Sequence, residues 1–289
     1  MTLRSPETPM SARAAIGVFD SGVGGLSVLR HLRAQLPQED FYYFADAEFA
    51  PYGEKSEALI VTRSLAIAAF LRGQGVKALV VACNTATAAA IDALRQAYPD
   101  MPVVGVEPGL KPAAALSRSR VVGVLATEAT LASSKFARLR TQVEIDSGVR
   151  FVAQACNGLA DRIESGELRS AATTLLLRRY IEPLLSEGAD TLVLGCTHYP
   201  FVQPLIETLA PADTHIIDTG AAVALQMERL LTQHHLHAPG NNMAGDLKLF
   251  TSGSRSALAA ACLRLLQIRA PVVCVDPASS APAPYPTQT

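Results

Sequence analysis

Residues 191–201, TLVLGCTHYPF, decide how the second half of this chain is expected to fold. A short, mainly aliphatic run ends at a glycine, and Cys196 and hydrogen-bonding side chains follow. Because the run does not alternate between apolar and polar residues, it predicts a parallel strand buried on both faces. Ligands of open α/β sheets bind beyond the carboxyl ends of such strands, so Cys196 is predicted to lie where chemistry occurs.

A second stretch, ALVVACNTATA at residues 78–88, has the same pattern. When the two cysteines are superposed, Cys83 follows an aliphatic run as Cys196 does, and polar side chains come next in both stretches. The sequence therefore predicts two thiols at equivalent strand ends. A helix is expected to follow Cys83 at residues 86–97.

The similarity extends through most of the chain. Predicted strands recur in the same order in both halves. Residues 15–21 match 121–127, with Ser21 opposite Thr127, and 41–45 match 150–155. The strand before Cys83 matches that before Cys196, and 102–106 match 215–218. The long helix predicted at 56–72 pairs with one at 168–186. Alternating strands and helices predict two similar doubly wound α/β domains with parallel sheets, related by a pseudo-twofold axis, with an active site between them.

Domain boundaries follow from this repeat. The first domain is predicted to comprise residues 15–109 and, after the chain returns, 219–275, whereas the second comprises 110–218. Residues 1–14 and 276–289 are rich in proline and polar residues, which predicts a disordered arm and a disordered tail.

Composition excludes several classes of protein. Of the 289 residues, 49% are apolar and 18% charged, which predicts a sizeable core rather than general disorder. The net charge of −1 argues against nucleic-acid binding. No apolar run is long enough for a membrane span and the first residues do not form a secretory signal, so a cytoplasmic protein without membrane attachment is expected. The five cysteines include no CxxC pair, which indicates reduced thiols.

Three functions of the two strand-end thiols compete. A metal site needs about four ligands, and these stretches supply only the two thiols and one histidine. A redox disulfide is possible, but the usual CxxC pair is missing. Acid–base chemistry from two sides of one substrate fits the duplication best, because inversion of a stereocentre needs proton removal on one face and delivery on the other. A thiol pKa of about 8.5 is readily lowered by neighbours, so both protonation states are accessible.

The remaining cysteines and histidines have ordinary explanations. Cys156, Cys262 and Cys274 are expected to be small buried hydrophobic residues. His234, His235 and His237 indicate a polar helix end rather than a metal site.

A glycine-rich turn, DSGVGG at residues 20–25, separates the first strand from the following helix. Such a turn exposes backbone N–H groups at a helix N-terminus and is a natural seat for a carboxylate. The alternatives are a tight turn without function and, for Asp20, a helix N-cap.

These motifs together resemble a known family. IGVFDSGVGGLSVL at 16–29, PYG at 51–53, ACNTATA at 82–88 and LGCTHYPF at 194–201 resemble the glutamate racemases of the cofactor-independent aspartate/glutamate racemase superfamily. The resemblance implies interconversion of L- and D-glutamate for peptidoglycan synthesis, without a cofactor and without a metal, and a homodimer. It implies Cys83 and Cys196 as the proton donor and acceptor pair.

The resemblance also implies substrate contacts from both halves of the chain: Asp20, Ser21, Tyr52, Gly53, Asn84, Thr85, Thr197 and His198. Hydroxyl and amide groups suit the α-carboxylate and ammonium, and backbone N–H groups of the loop at 52–53 suit the distal carboxylate. Asp20 is expected to accept a hydrogen bond from the ammonium or to adjust the reactivity of the Cys83 thiol. His198 is expected to adjust the reactivity of the Cys196 thiol.

This chain departs from the family pattern at two loops. After Cys156 it reads NGLADRIE, where the family usually has a proline-rich run with a glutamate; Glu164 falls about where that glutamate lies and is assigned a supporting role. The loop DAEFA at 46–50 lacks the arginine that the family commonly has before PYG.

Three alternatives stay open at this point. An aspartate racemase is the nearest, and a two-domain protein that closes on an acidic amino acid without chemistry is another. A pyridoxal enzyme is disfavoured, because none of the five lysines adjoins either cysteine strand end.

Overall fold

The computed structural model describes residues 11–239 and 243–277, and most of the predicted arm and tail lies outside them. Its strands are β1 (Ile16–Asp20), β2 (Phe41–Ala45), β3 (Ala78–Val81), β4 (Val103–Gly105), β5 (Val121–Ala126), β6 (Arg150–Ala155), β7 (Thr191–Gly195), β8 (His215–Ile217), β9 (Leu247–Thr251) and β10 (Val272–Cys274). The α-helices are α1 (Leu26–Gln35), α2 (Glu57–Gly73), α3 (Asn84–Ala97), α4 (Leu110–Leu116), α5 (Glu128–Ala132), α6 (Ser134–Ser147), α7 (Leu159–Glu164), α8 (Ala171–Ser186), α9 (Gln203–Leu209), α10 (Gly220–Gln233) and α11 (Arg255–Leu266).

The strands form two parallel sheets, which confirms the predicted α/β class. The six-stranded sheet has the order β10-β9-β2-β1-β3-β4, and the four-stranded sheet has the order β6-β5-β7-β8. The segment β2-β1-β3-β4 therefore has the same order as the whole second sheet, as expected for a duplication. Strand β9 and helices α10 and α11 pack with the first sheet. The residue boundaries of the two domains stay a prediction.

The equivalent strands β3 and β7 direct the two cysteines to the carboxyl edges of their sheets. β3 lies beside β1, with Val81 opposite Phe19, so Cys83 and Asp20 emerge at the same edge. β7 lies beside β5, with Gly195 opposite Ala126. Both strands are buried along their whole length, because helices cover both faces of each sheet.

Several predicted element ends differ from the structure. Helix α3 begins at Asn84, two residues before the predicted start, because the Cys83 sulfur caps it by accepting from the Ala86 N–H at 3.4 Å. Helix α8 begins at Ala171, since the Ser170 hydroxyl accepts from Thr173 N–H and caps it there. The expectation that Cys274 is buried was wrong: it belongs to β10, the edge strand of the six-stranded sheet, and is exposed.

Candidate active site

Two thiols lie at equivalent strand ends, one in each sheet region. Cys83 follows β3 and is 6% exposed, and Cys196 follows β7 and is 7% exposed. Burial raises the pKa of the Cys83 thiol well above its usual range, and the nearby charges of Asp20 and Cys196 raise it further. The two thiols therefore occupy equivalent places, each directly after a buried strand at the carboxyl edge of its sheet.

Cys83 has a neutral polar neighbour and an acidic one. Its thiol donates to the Ser21 hydroxyl over 3.9 Å, a long contact for sulfur, and its sulfur accepts from the Ala86 N–H. Asp20 is fully buried at the end of β1, and its Oδ2 accepts from Gly22 N–H at 3.2 Å and Gly25 N–H at 2.9 Å. Asp20 therefore shapes the glycine-rich turn from within.

Cys196 has a histidine beside it, and that histidine has a carboxylate behind it. His198 Nδ1 lies 3.6 Å from the Cys196 sulfur, and its Nε2 lies 2.7 Å from Glu164 Oε2. Burial alone would lower the pKa of His198, but its hydrogen bonds to Cys196 and Glu164 raise that pKa well above the usual range. The imidazole ring therefore lies between the Cys196 sulfur and the Glu164 carboxylate.

Glu164 is held by both halves of the chain. Besides its contact with His198, the carboxylate accepts from the Val23 N–H at 3.1 and 3.2 Å. Burial would raise the pKa of Glu164, but the hydrogen bond and charge of His198 outweigh it and lower that pKa. The two thiols thus have different surroundings. Cys196 lies beside the His198–Glu164 pair, whereas Cys83 lies near the Asp20 carboxylate and the Ser21 hydroxyl.

The glycine-rich turn holds carboxylates that belong to the protein itself. Val23 N–H binds Glu164, and the N–H groups of Gly22 and Gly25 bind Asp20. A Cβ atom at Gly22 would lie 2.7 Å from the Glu164 oxygens, and one at Gly24 would collide with His198 Nδ1. These glycines are needed because the turn lies directly against the residues that support Cys196.

Gly24→Ala is expected to lower kcat/KM about tenfold to a hundredfold, because an added methyl group in a tightly packed site costs roughly 1–3 kcal/mol. The methyl would displace the His198 ring, which Glu164 fixes on its other side. Steady-state kinetics measures the loss. Gly73→Ala is the matched control, since no described residue other than its chain neighbours and the adjoining helix backbone lies within 4 Å of the added Cβ. Equal kinetics for both variants would contradict the tight contact.

Two buried polar atoms at this site have no hydrogen-bond partner within residues 11–239 and 243–277: Asp20 Oδ1 and Asn84 Nδ2. Asn84 is 6% exposed and lies in the first turn of α3, directly after Cys83. Buried polar groups are almost always paired, so an unpaired acceptor and an unpaired donor beside a thiol indicate groups reserved for a ligand. An amino acid offers the complementary ammonium and carboxylate.

The phenol of Tyr52 is hydrogen-bonded within the first half of the chain. The Tyr52 hydroxyl donates to Asp46 Oδ2 at 2.6 Å, and Arg63 binds the same carboxylate with Nη2 to Oδ1 at 2.6 Å. The buried ring is therefore turned into the core. Gly53 faces the second half of the chain, because a Cβ atom added to it would lie 3.5 Å from Thr127 Cβ.

Thr127 lies beside the assigned residues, although the sequence-based assignment did not include it. Its Oγ1 lies 3.2 Å from Thr85 Oγ1 and donates to Thr130 Oγ1 at 2.9 Å, so a row of hydroxyl groups connects α3 with α5. The repeat itself contained the clue, because Thr127 is the counterpart of Ser21. Thr197 also takes part in the contact between the halves, since its carbonyl accepts from the Ser27 hydroxyl at 2.7 Å.

The structure thus brings most of the assigned residues together. Asp20, Ser21, Cys83, Asn84 and Thr85 converge from the carboxyl edge of the first sheet. Cys196, Thr197, His198 and Glu164 come from the second half of the chain, which contacts the first half through the Val23–Glu164 and Ser27–Thr197 hydrogen bonds. Among the described residues, no three potential metal ligands form a group that could hold an ion. Lys77, the lysine nearest in sequence to Cys83, precedes β3 and is buried against Glu39, away from the thiols.

Comparison with known proteins identifies the family of this chain and its fold. Residues 16–227 match the family model described as Asp/Glu/Hydantoin racemase, so the chain belongs to the Asp/Glu/hydantoin racemase family. Its curated relatives are glutamate racemases. That of Ectopseudomonas mendocina is 57% identical over 227 residues, covering 78% of this chain and 86% of the relative. That of Pseudomonas aeruginosa is 56% identical over 227 residues, covering 78% and 85%.

Solved structures give the same result. Glutamate racemase isoform RacE1 from Bacillus anthracis superposes with a TM-score of 0.83 at 34% identity, covering 92% of this chain and 98% of that one. Glutamate racemase from Francisella tularensis, in complex with D-glutamate, has a TM-score of 0.80 at 29% identity, with 93% and 99% covered. The Escherichia coli enzyme, in complex with L-glutamate and the activator UDP-MurNAc-Ala, has a TM-score of 0.77 at 36% identity, with 88% and 94% covered.

Proposed function

We propose that this chain interconverts L- and D-glutamate by proton transfer between the substrate Cα and two thiols, Cys83 and Cys196. The observation that carries the proposal is the pair of buried thiols at equivalent strand ends, beside a carboxylate oxygen and an amide that are unpaired among the described residues. The glutamate racemases among its relatives, and their complexes with each enantiomer of glutamate, support this substrate.

The proposed reaction exchanges protons on opposite faces of one carbon. A thiolate on one side removes the Cα proton and becomes a thiol, and the electron pair stays on the substrate as a carbanion. The thiol on the other side delivers its proton to that carbanion and becomes a thiolate. Each turnover therefore exchanges the protonation states of Cys83 and Cys196, which prepares the site for the opposite enantiomer.

The surrounding residues are assigned roles from their contacts. Asp20 Oδ1 accepts from the substrate ammonium. Asn84, with the hydroxyl groups of Ser21, Thr85 and Thr197, binds carboxylate oxygens, and the backbone at Tyr52 and Gly53 binds the distal carboxylate. Glu164 orients His198, which lies beside the Cys196 sulfur. Exclusion of water strengthens these fixed charges and dipoles, which must stabilise a carbanion without a cofactor.

The proposed setting is the cytoplasm, where the enzyme supplies D-glutamate for peptidoglycan. Within the described parts of the chain, no helix is long and apolar enough to cross a membrane. A homodimer is proposed on the resemblance to the family alone.

Circular dichroism of L-glutamate solutions tests this function. The purified protein is expected to bring the signal to zero without added pyridoxal phosphate or metal, and to do the same from D-glutamate. L-aspartate is the matched substrate, and its signal should change far more slowly. A constant signal with both amino acids, together with tight glutamate binding, would indicate a binding protein instead. Activity that requires pyridoxal phosphate would contradict the two-thiol mechanism.

A further inference from the structure

The peptide group between Gly22 and Val23 is hydrogen-bonded at both ends. The Tyr43 hydroxyl donates to the Gly22 carbonyl oxygen at 2.7 Å. The Val23 N–H of the same peptide group donates to Glu164 Oε2 at 3.1 Å. One rigid, polarisable amide therefore joins a phenol of β2 to a carboxylate at the end of α7, more than 120 residues further along the chain.

The hydrogen bonds continue from Glu164 to a thiol. Glu164 Oε2 lies 2.7 Å from His198 Nε2, and His198 Nδ1 lies 3.6 Å from the Cys196 sulfur. The complete series runs from Tyr43 through one peptide group, Glu164 and His198 to Cys196. Its first two members belong to the first sheet region, and its last three belong to the second.

Tyr43 is built to donate at this position. The side chain is fully buried among apolar residues that pack against the six-stranded sheet. A buried hydroxyl needs a hydrogen-bond partner, and the Gly22 carbonyl oxygen provides it. Gly25 permits the approach, because a Cβ atom there would lie 3.0 Å from the Tyr43 oxygen. Burial and the charges of Asp20 and Glu164 raise the pKa of Tyr43 well above its usual range, so the phenol keeps its proton.

Hydrogen bonds in series strengthen one another. A donor to the carbonyl oxygen of an amide increases the positive charge on the N–H of the same amide, and a buried, low-dielectric setting increases the effect. The Val23 N–H donates to an ionised carboxylate, and hydrogen bonds to charged acceptors are the strongest kind in proteins. A stronger bond from Val23 fixes the position of the Glu164 carboxylate, and that carboxylate in turn fixes the orientation of the His198 ring.

We propose that Tyr43 is a positioning residue for Cys196, acting through the Gly22–Val23 peptide group on the Glu164–His198 pair. The inference rests on the proposed racemase function and deepens it, because it makes the thiol of one half depend on a phenol in the core of the other. Nothing in the assigned site includes Tyr43, which the sequence shows only as one more aromatic residue of a buried strand.

Tyr43→Phe removes the hydroxyl and keeps the ring. The loss of one buried hydrogen bond is expected to lower kcat/KM about two- to tenfold. The two enantiomers have equal free energy, so kcat/KM must fall equally in both directions.

Primary deuterium isotope effects distinguish this role from a merely structural one. With substrate deuterated at Cα, Tyr43→Phe should increase the isotope effect on kcat/KM for the enantiomer that Cys196 deprotonates, since that step becomes slower. For the other enantiomer, proton delivery by Cys196 becomes limiting instead, so the isotope effect should decrease. Opposite changes for the two enantiomers would identify Cys196 as the thiol affected.

Tyr42→Phe is the matched control, because Tyr42 precedes Tyr43 on β2, faces the other side of the sheet and packs its ring edge-on against Phe250. It should leave kinetics and isotope effects unchanged, and thermal unfolding checks that both variants fold. Isotope effects that stay constant, or change in the same direction for both enantiomers, in a folded Tyr43→Phe would overturn the inference. Lack of racemisation by the wild-type protein would overturn the proposed function instead.

Discussion

Cys83→Ser and Cys196→Ser are each expected to lower the rate of glutamate racemisation by about 10²- to 10⁴-fold, the usual contribution of a positioned acid–base group. A serine hydroxyl is close to a thiol in size but does not ionise near neutral pH, so each variant lacks one of the two proton carriers. Circular dichroism from both enantiomers measures the loss. Because both thiols act in each turnover, the two variants should lose activity in both directions.

Cys274→Ser provides the control for the cysteine variants. Cys274 lies exposed on the edge strand β10, where its thiol donates to the Gly253 carbonyl oxygen at 3.3 Å. This variant should retain wild-type activity. Near wild-type racemisation by either Cys83→Ser or Cys196→Ser would show that the corresponding thiol is not a proton carrier.

Asp20→Asn is expected to lower kcat/KM by about a hundredfold, because it leaves a buried substrate ammonium without its charged partner. The substitution separates substrate binding from the structure of the turn. An asparagine oxygen can still accept from the Gly22 and Gly25 N–H groups, so the glycine-rich turn keeps its hydrogen bonds. Its amide nitrogen then replaces Oδ1, the oxygen that is unpaired among the described residues. An N–H donor would thus face the ammonium.

The matched control for Asp20→Asn is Asp190→Asn. Asp190 also accepts from two backbone N–H groups, those of Arg118 and Ser119 at 2.7 Å, but it does so away from the thiols. Steady-state kinetics of both variants with L- and D-glutamate gives the comparison. Similar small effects for the two variants would mean that Asp20 only shapes its turn and does not bind substrate.

The sequence predicted the architecture because the signals for it are local. Aliphatic runs, glycine turns and helical spacing are visible in short windows, and the duplication adds a second, independent copy of the same order. The same strand order in the two sheets follows from that duplication. The short strand β10 was missed because three residues beside a proline and close to a proline-rich terminus carry too little pattern.

Contacts between distant parts of the chain were harder to predict. Glu164 was placed in the cleft by resemblance, but its partner Val23, 141 residues away, was not expected, since backbone N–H groups carry no signature of what they bind. The glycine-rich turn was expected to seat a carboxylate, and the carboxylates found there are those of Glu164 and Asp20. Tyr43 gave no signal, because a buried phenol in a strand differs from a phenylalanine only by the hydroxyl whose acceptor the fold supplies.

Racemisation of unlabelled L-glutamate in deuterated water, followed by proton NMR at early times, tests the two-thiol mechanism most directly. If one thiol removes the proton and the other delivers a different one, newly formed D-glutamate carries deuterium at Cα while the remaining L-glutamate keeps its hydrogen. The same pattern is expected when D-glutamate is the starting material. Deuterium that enters the remaining substrate as fast as the product would show that a single base serves both faces, and would contradict the mechanism.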